Sequence, residues 1–494
     1  MNIEATDAVV VGAGTAGLNA ALQLARRGLG VTVLESRRLG QGGARWDNGV
    51  LAWQYARAGL APPQPEEVHA GSGRTVLLGP DGDDGRPAGP VAVASPTHHA
   101  DMRRLNARLV SLCDEVGVTF LDRARGMTAI IEGGRVRAVE LTALDADADA
   151  DADADAASGA DAVSASDGGD AEGAVDDSAS AVPGTPRRLE AAIFVDAAGR
   201  RGVLRSQVPE LVEWCPPVGR DALCSASQFM LRVVDPDSAR RFLDRHGAQL
   251  GDGVTWVGLD GGFSALAVGV QLDLERVSVL TGTIASGEWG SGRGILDRFL
   301  AEERWIGEAI YGGDGLIPLR RPYARLGAAG VALVGDAACQ VFPAHGSGIG
   351  TGLMAGAVLA EQVAAHLDIG SDDALWAYQH AYHRELGGTL AAYDTFRRCN
   401  SALGSDGVRR MFASGLFSAE MGGAGLEQRW QEPSAAQTVA ATRAYARDPG
   451  LARRMVPWLA RCGIAFRLGG SSPAERDLAA LRRWDARLAR VVGG

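Results

Sequence analysis

DAVVVGAGTAGLNAALQLARRGLGVTVLE, residues 7–35, decides the fold. The apolar run at Ala8–Val11 reads as a buried strand, Gly12-x-Gly14-x-x-Gly17 as a turn that opens a helix, and VTVLE as a second strand ending on Glu35. Gly12 permits the tight turn, Gly14 lets a pyrophosphate approach the backbone, and Gly17 lets helix and strand pack closely. An anion belongs at the helix N-terminus, where free N–H groups and the macrodipole favour it. Glu35 is placed to accept both hydroxyls of a ribose, and an acid there disfavours a 2′-phosphate. The unit binds a dinucleotide; by itself it does not separate FAD from NAD.

Working outward, RRLGQGGARWDNGVLAW (37–53) is a glycine-rich loop in which Arg45 is either a pyrophosphate contact or a surface arginine. A proline-rich, irregular stretch then runs to about Pro96, and DMRRLNARLVSLCDEVG (101–117) has apolar residues at helical spacing. GGRVRAVELTAL and RRLEAAIFVDAAG read as the arms of an antiparallel pair. Between them lies an Asp-Ala-rich insert, 145–186, which composition marks as a solvated, disordered hairpin tip. Removing its twelve acids takes the formal net charge from −11 to +1, so the acidic balance says nothing about partners and gives no footprint for nucleic acid. From Gln228 the pattern is β, with FMLRVV, GVTWVGL, FSALAVGVQL and RVSVLTGTI predicting an antiparallel wall for a substrate cavity. GILDRFLAEERWIGEAI (294–310) reads as a helix, VALVGD (331–336) as a strand, and most of the last 120 residues as helices.

A second motif, VALVGDAACQVFPAHGSGIGTG (331–352), pairs with the first. Together they resemble the FAD-dependent oxidoreductase superfamily that includes p-hydroxybenzoate hydroxylase and geranylgeranyl reductase. The resemblance implies that Gly335-Asp336 is the family's Gly-Asp pair, with Asp336 on the ribityl chain. Pro343 and the turn Gly346-Ser347-Gly348-Ile349-Gly350 match its flavin loop, and the helix opening near Thr351 aims its positive end at the N1–C2 edge of the ring. Asp196-Ala197-Ala198-Gly199 with Arg205 is the Asp-Ala-x-Gly form more frequent in the superfamily's reductases, cyclases and halogenases than in its NADPH-docking hydroxylases; otherwise it is only a strand end and turn. Halogenases of the superfamily carry Trp-x-Trp-x-Ile-Pro and a catalytic lysine; this chain has no such motif and no lysine, which also removes Schiff-base chemistry. VTWVGLDGGF around Trp256 resembles only loosely the aromatic-Trp-x-Phe-Pro segment of the prenyl reductases.

The expected architecture is α/β: a discontinuous Rossmann-type FAD-binding domain (1–60, 97–205 and 320–370), an inserted, mainly antiparallel β substrate domain (61–96 and 206–319) and a helical C-terminal extension (371–494). The expected activity is FAD-dependent oxidation or reduction of a small hydrophobic organic molecule. Monooxygenation ranks slightly ahead of C=C reduction or dehydrogenation, NAD(P)H is a candidate reductant, and a redox-neutral cyclase or isoprenoid carrier is the alternative from a different class. His345, inside the flavin loop, is the candidate catalytic group, as proton donor or oxyanion partner, against a plain loop histidine. Cys339 reads as a buried structural thiol, the alternative being a redox-active or covalently attached residue beside the cofactor. His98-His99 and His380/His383 lack the companions that a metal site needs, so no metal is expected. Six scattered cysteines, no signal peptide ahead of a strand at residue 7, and no apolar run of bilayer length point to a soluble protein of the cytoplasm. Membrane association is not expected, the alternative being that the arginine-rich C-terminal helix with Leu478, Leu481 and Leu488 lies on anionic lipid instead of packing on the core. Oligomeric state is left open.

Overall fold

The structure is a computed structural model that describes residues 2–69, 71–82, 86–144, 186–288 and 290–493. The acidic insert, apart from Pro186, lies outside the described residues. The first strand, Asn2–Val11, is central: it pairs in parallel with Val31–Leu34 on one side and Arg187–Asp196 on the other. Val31–Leu34 continues to Thr119–Leu121, and the end of Arg187–Asp196 pairs in parallel with Val331–Leu333. Arg135–Leu141 and Thr128–Glu132 close the far edge as an antiparallel hairpin. Ala8 to Val11 and Val31 to Leu34 are buried without alternation, as strands covered on both faces must be.

Two helices cover one face of this sheet, Thr15–Ala25 and Ile349–Val363, and they touch through small residues. A Cβ on Gly356 would lie 2.6 Å from the Ala20 nitrogen, and one on Gly352 would lie 3.1 Å from Ala16 Cβ. Asn19 locks the contact, its side-chain amide donating to the Leu353 carbonyl at 2.6 Å. Met102–Glu115, capped by Asp101 and buried at Met102, Leu105, Leu109 and Cys113, packs beside them.

A seven-stranded sheet stands against this unit in the order Ile306–Pro318, Leu223–Val233, Arg276–Ile284, Ser264–Val270, Gly253–Val257, Arg74–Leu78, Val91–Ala94. Its pairing is antiparallel except between Gly253–Val257 and Arg74–Leu78. The period-two pattern sorts its faces. Val254, Trp256, Leu266, Val268, Val277 and Val279 join Phe242 and Phe299 of two covering helices in one core, while Thr255, Ala265, Ala267, Gly269 and Ser278 line the opposite side. A third, short sheet, Asp47–Leu51, Thr97–Asp101 and Val68–His69, bridges the two units.

The C-terminal region is helical: Asp372–Tyr382, a π turn over His383–Gly387, Gly388–Ala413, Ala419–Glu427, Ala435–Arg447, Pro449–Gly469 and Leu478–Val492. Leu481 and Leu488 of the last helix are buried in the main core, and buried Arg321 reaches Asp485 at 2.6 Å. No described helix is long and apolar enough to cross a membrane.

Two expectations from sequence change. The helix expected over 294–310 ends at Glu302, and Ile306–Pro318 is instead a strand, because its backbone completes the edge beside Leu223–Val233. The stretch before Pro96 is not irregular throughout: Arg74–Leu78 is a strand paired in parallel with the distant Gly253–Val257 and, across a loop, antiparallel with the edge strand Val91–Ala94. If helix contact at Gly356 fixes the two N-termini, Gly356→Ala should cost about 1–3 kcal/mol of stability, since the methyl has only backbone to meet. Chemical denaturation checks this, and wild-type stability would show that the helices separate freely.

Candidate active site

Gly12 leaves the first strand at φ +106, and a Cβ there would lie 2.5 Å from the Ala197 carbonyl oxygen; one on Gly17 would lie 2.1 Å from that of Gly12. Turn, helix and the Arg187–Asp196 strand end are therefore pressed together by the absence of side chains. Gly14 caps Thr15–Ala25 without a side-chain bond, and the first turn holds no acid, so this N-terminus remains electropositive. Buried Glu35 accepts from the Ala13 N–H at 2.7 Å and from the Arg37 N–H at 2.9 Å, which fixes the carboxylate beside the glycine turn. Arg45 is exposed, with no hydrogen bond or ion pair among the described residues.

The second motif folds as a braced loop. Gly335–Ala338 is a tight 3-10 turn after Val331–Leu333, and Cys339 follows at φ +55. The Gln340 side chain accepts from the Gly335 N–H at 2.7 Å and donates to the Tyr378 hydroxyl at 2.9 Å. Buried Pro343 precedes a turn in which the Phe342 N–H donates to the Ser347 carbonyl and the Gly346 N–H to that of Phe342. Ser347 Oγ donates to the Gly49 carbonyl at 3.0 Å. Gly348 then caps Ile349–Val363, again without a side-chain bond or an acid in the first turn. Asp196 is fully buried and accepts three backbone N–H groups, from Ala198, Leu204 and Arg205, while Arg205 donates to the Ala337 carbonyl. The Asp-Ala-x-Gly element thus braces the loop from behind.

Asp336 has no side-chain hydrogen bond among the described residues, and burial pushes its carboxyl up to about 6, with Arg200 opposing the rise. Two uncapped helix N-termini, glycine turns pressed to backbone contact, and a carboxyl lacking a donor fit a dinucleotide that brings phosphates and a polyol chain. Cys339 is buried and its thiol is raised by that burial, as a structural cysteine's should be; all six cysteines are free and buried.

Beside the loop opens a cavity of 1590 Å³. Its walls are the small-residue face of the seven-stranded sheet, Ala344 to Ser347 of the loop, Trp46 and Asp47 to Gly49 at the bridging sheet, and aromatic side chains of the C-terminal region, Tyr393 and Phe466 on helices and Phe417 and Trp430 in the segments between them. His345 faces this space and is exposed to it, with its ring 4.8 Å from Phe342; partial desolvation by the surrounding walls lowers its pKa, which favours the neutral imidazole. His380 and His383 do not reach the cavity: they bond the carbonyls of Ser472 and Ala324. No metal-binding cluster occurs among the described residues.

One corner of the cavity is polar, and sequence reasoning missed it. Asp47 Oδ1 accepts the Tyr311 hydroxyl at 3.0 Å and lies 3.1 Å from His69 Nε2. The three residues are 22 and 242 positions apart, so no local motif could reveal them. His98 and His99 line the same corner.

A family model described as FAD dependent oxidoreductase matches residues 7–67. Digeranylgeranylglycerophospholipid reductase of Sulfolobus acidocaldarius is 22% identical over 409 residues, covering 81% of this chain and 79% of that protein. Digeranylgeranylglycerophospholipid reductase 2 of Methanopyrus kandleri is 25% identical over 395 residues, covering 78% and 84%. Among solved structures, a geranylgeranyl bacteriochlorophyll reductase-like protein from Thermoplasma acidophilum superposes with a TM-score of 0.66 at 15% identity, over 92% of this chain and all of that one. The myxobacterial chondrochloren halogenase follows the same fold, with a TM-score of 0.55 at 16% identity over 99% and 97%.

A carboxyl raised by burial favours the folded state while protonated, and that stability is lost as pH rises through about 6. Asp336→Asn should therefore stabilise the flavin-free protein by up to about 3 kcal/mol at pH 7.5 and by roughly half that at pH 5. It should also weaken FAD binding by about tenfold, through loss of a charged acceptor. Thermal unfolding at both pH values and flavin titration check this; a pH-independent gain would mean that Asp336 is well solvated.

Proposed function

This chain is an FAD-dependent oxidoreductase, and from that premise we propose that it reduces carbon–carbon double bonds in a long, apolar substrate. The observation that carries the reading is the cavity. At 1590 Å³ it exceeds the roughly 300–1,000 Å³ that suits drug-sized ligands, and it runs from the second-motif loop to the C-terminal helices. Most of its wall is alanine, glycine, leucine, methionine and aromatic surface, which favours an extended hydrocarbon over a small polar ring. The reductase names of relatives that match about four-fifths of the chain support the same reading. Oxygen insertion, which ranks first on frequency alone, ranks second here.

In this reading Gly12, Gly14, Gly17 and Glu35 hold the adenosine and pyrophosphate half, with Arg45 reaching the phosphates. Asp336 takes a ribityl hydroxyl, and Pro343, Gly346 and Gly348 shape the bed for the ring. When bound, FAD supplies a hydride acceptor or donor, recharged by NAD(P)H. His345, neutral at working pH, orients the substrate at the loop by one hydrogen bond instead of delivering a proton. The apolar sheet face and the helix Ala435–Arg447, only one of whose residues is fully buried, exclude water while leaving a side through which a long chain enters.

The test is anaerobic turnover of the FAD-loaded protein with NAD(P)H and unsaturated prenyl lipids. Products heavier by two hydrogens per double bond, formed at the same rate without oxygen, are expected. Oxygen-dependent turnover with incorporation of an oxygen atom would replace this reading by monooxygenation. A protein that binds no FAD would return the scaffold to a redox-neutral role.

A further inference from the structure

His69 lies directly opposite His99 across the short bridging sheet, and His99 has Gly49 as its other cross-strand neighbour. Cross-strand partners share a face, so His69, His99 and, two residues from Gly49, Asp47 belong to the face that lines the cavity. Gly49 is the residue whose carbonyl binds Ser347 of the flavin loop. The polar corner is thus joined to that loop through one strand.

The hydrogen bonds give each member a role. Asp47 is 4% exposed, its backbone N–H donates to Gln228 Oε1 at 2.8 Å, and its Oδ2 has no partner. Tyr311 donates to Oδ1; His69 Nε2 lies 3.1 Å from the same oxygen and 3.2 Å from the Tyr311 hydroxyl, and since a carboxylate only accepts, the Nε2–H tautomer fits, with Nδ1 left without a hydrogen-bond partner among the described residues. Arg103 stacks over the Tyr311 ring at 3.6 Å and is itself neutralised by Asp101. The charged and titratable groups facing His69 are therefore Asp47, Tyr311, His98, His99 and the Arg103–Asp101 pair; nearby Glu67 is paired with Arg108.

We propose that His69, held by Asp47 and Tyr311, is the residue that gives the substrate its proton. The proposal rests on the reductase reading above. In that reaction the π bond breaks, one carbon takes a hydride from the reduced flavin, and its neighbour takes H⁺ from imidazolium His69. The flavin is oxidised and later reduced again by NAD(P)H; His69, left neutral, regains a proton from water. Asp47 and Tyr311 are positioning residues. His345 has no carboxylate partner among the described residues, whereas His69 is held by Asp47 and Tyr311.

The experiment uses FAD-loaded wild type, His69→Gln, His69→Ala, Asp47→Asn and His345→Ala, each checked for full flavin content by visible absorbance. Reoxidation of the pre-reduced enzyme by an unsaturated prenyl lipid is followed against pH. Wild type and His345→Ala should lose rate as pH rises through the titration of one group. His69→Gln should be slower by about 100-fold or more and lack that limb. Added imidazole should partly restore His69→Ala but not His69→Gln. Independently of turnover, ¹⁵N-histidine spectra should show the His69 titration moving to lower pH in Asp47→Asn. A His69→Gln enzyme with wild-type rate and pH limb overturns the proposal, as does a His69 titration indifferent to Asp47→Asn. Wild type that binds flavin yet reduces no alkene overturns the functional reading instead.

Discussion

The contact of Ala16 and Ala20 with Gly352 and Gly356 is the constraint on which the rest depends. It lets two helices from opposite ends of the chain approach until Asn19 can reach the Leu353 carbonyl, and so sets both uncapped N-termini side by side. A dinucleotide has charge at its pyrophosphate and, when reduced, at its ring. Two helix ends held in register are suited to both, because each presents free N–H groups and a positive dipole end. Asn19 sits in a wholly buried position where an unsatisfied amide would cost stability, so its bonds to Leu353 and Ala58 specify this packing as well as stabilise it.

The cavity follows from a different rule. One face of the seven-stranded sheet carries branched and aromatic side chains and is sealed by helices; the other carries Ala, Gly, Ser and Thr, too small to meet the C-terminal helices opposite. Space is left because side-chain volume alternates along each strand with period two. The C-terminal helices then act as the outer wall, tied to the core by Arg57 with Glu361 and Glu385 and by Arg321 with Asp485. Against such an apolar wall the buried carboxylates stand out energetically, since an unpaired charge there would be costly: Asp252 is paired with Arg74, and Asp47 is held by a histidine and a tyrosine.

Much of this was legible in the residues. The β-α-β unit from Asp7 to Glu35, the Gly335–Gly350 loop, the antiparallel pairing of Arg135–Leu141 with Arg187–Asp196, and the strands from 253 to 284 all announce themselves through local pattern. Ile306–Pro318 did not, because its preceding residues continue a helical pattern and only pairing with Leu223–Val233 makes it a strand. Arg74–Leu78 was hidden for the same reason: its parallel partner is Gly253–Val257.

By itself, then, the sequence determined that each of two glycine motifs would fold as a turn opening a helix, since the close approach each requires is written in consecutive residues. The presence of histidine in the second motif was legible too, but not its surroundings; only the fold sets His345 against Phe342 at the cavity wall. Only the tertiary structure decided that His69, Asp47 and Tyr311 would meet. Hydrogen bonds between residues 242 positions apart depend on how two sheets are juxtaposed, and no short-range pattern encodes that distance.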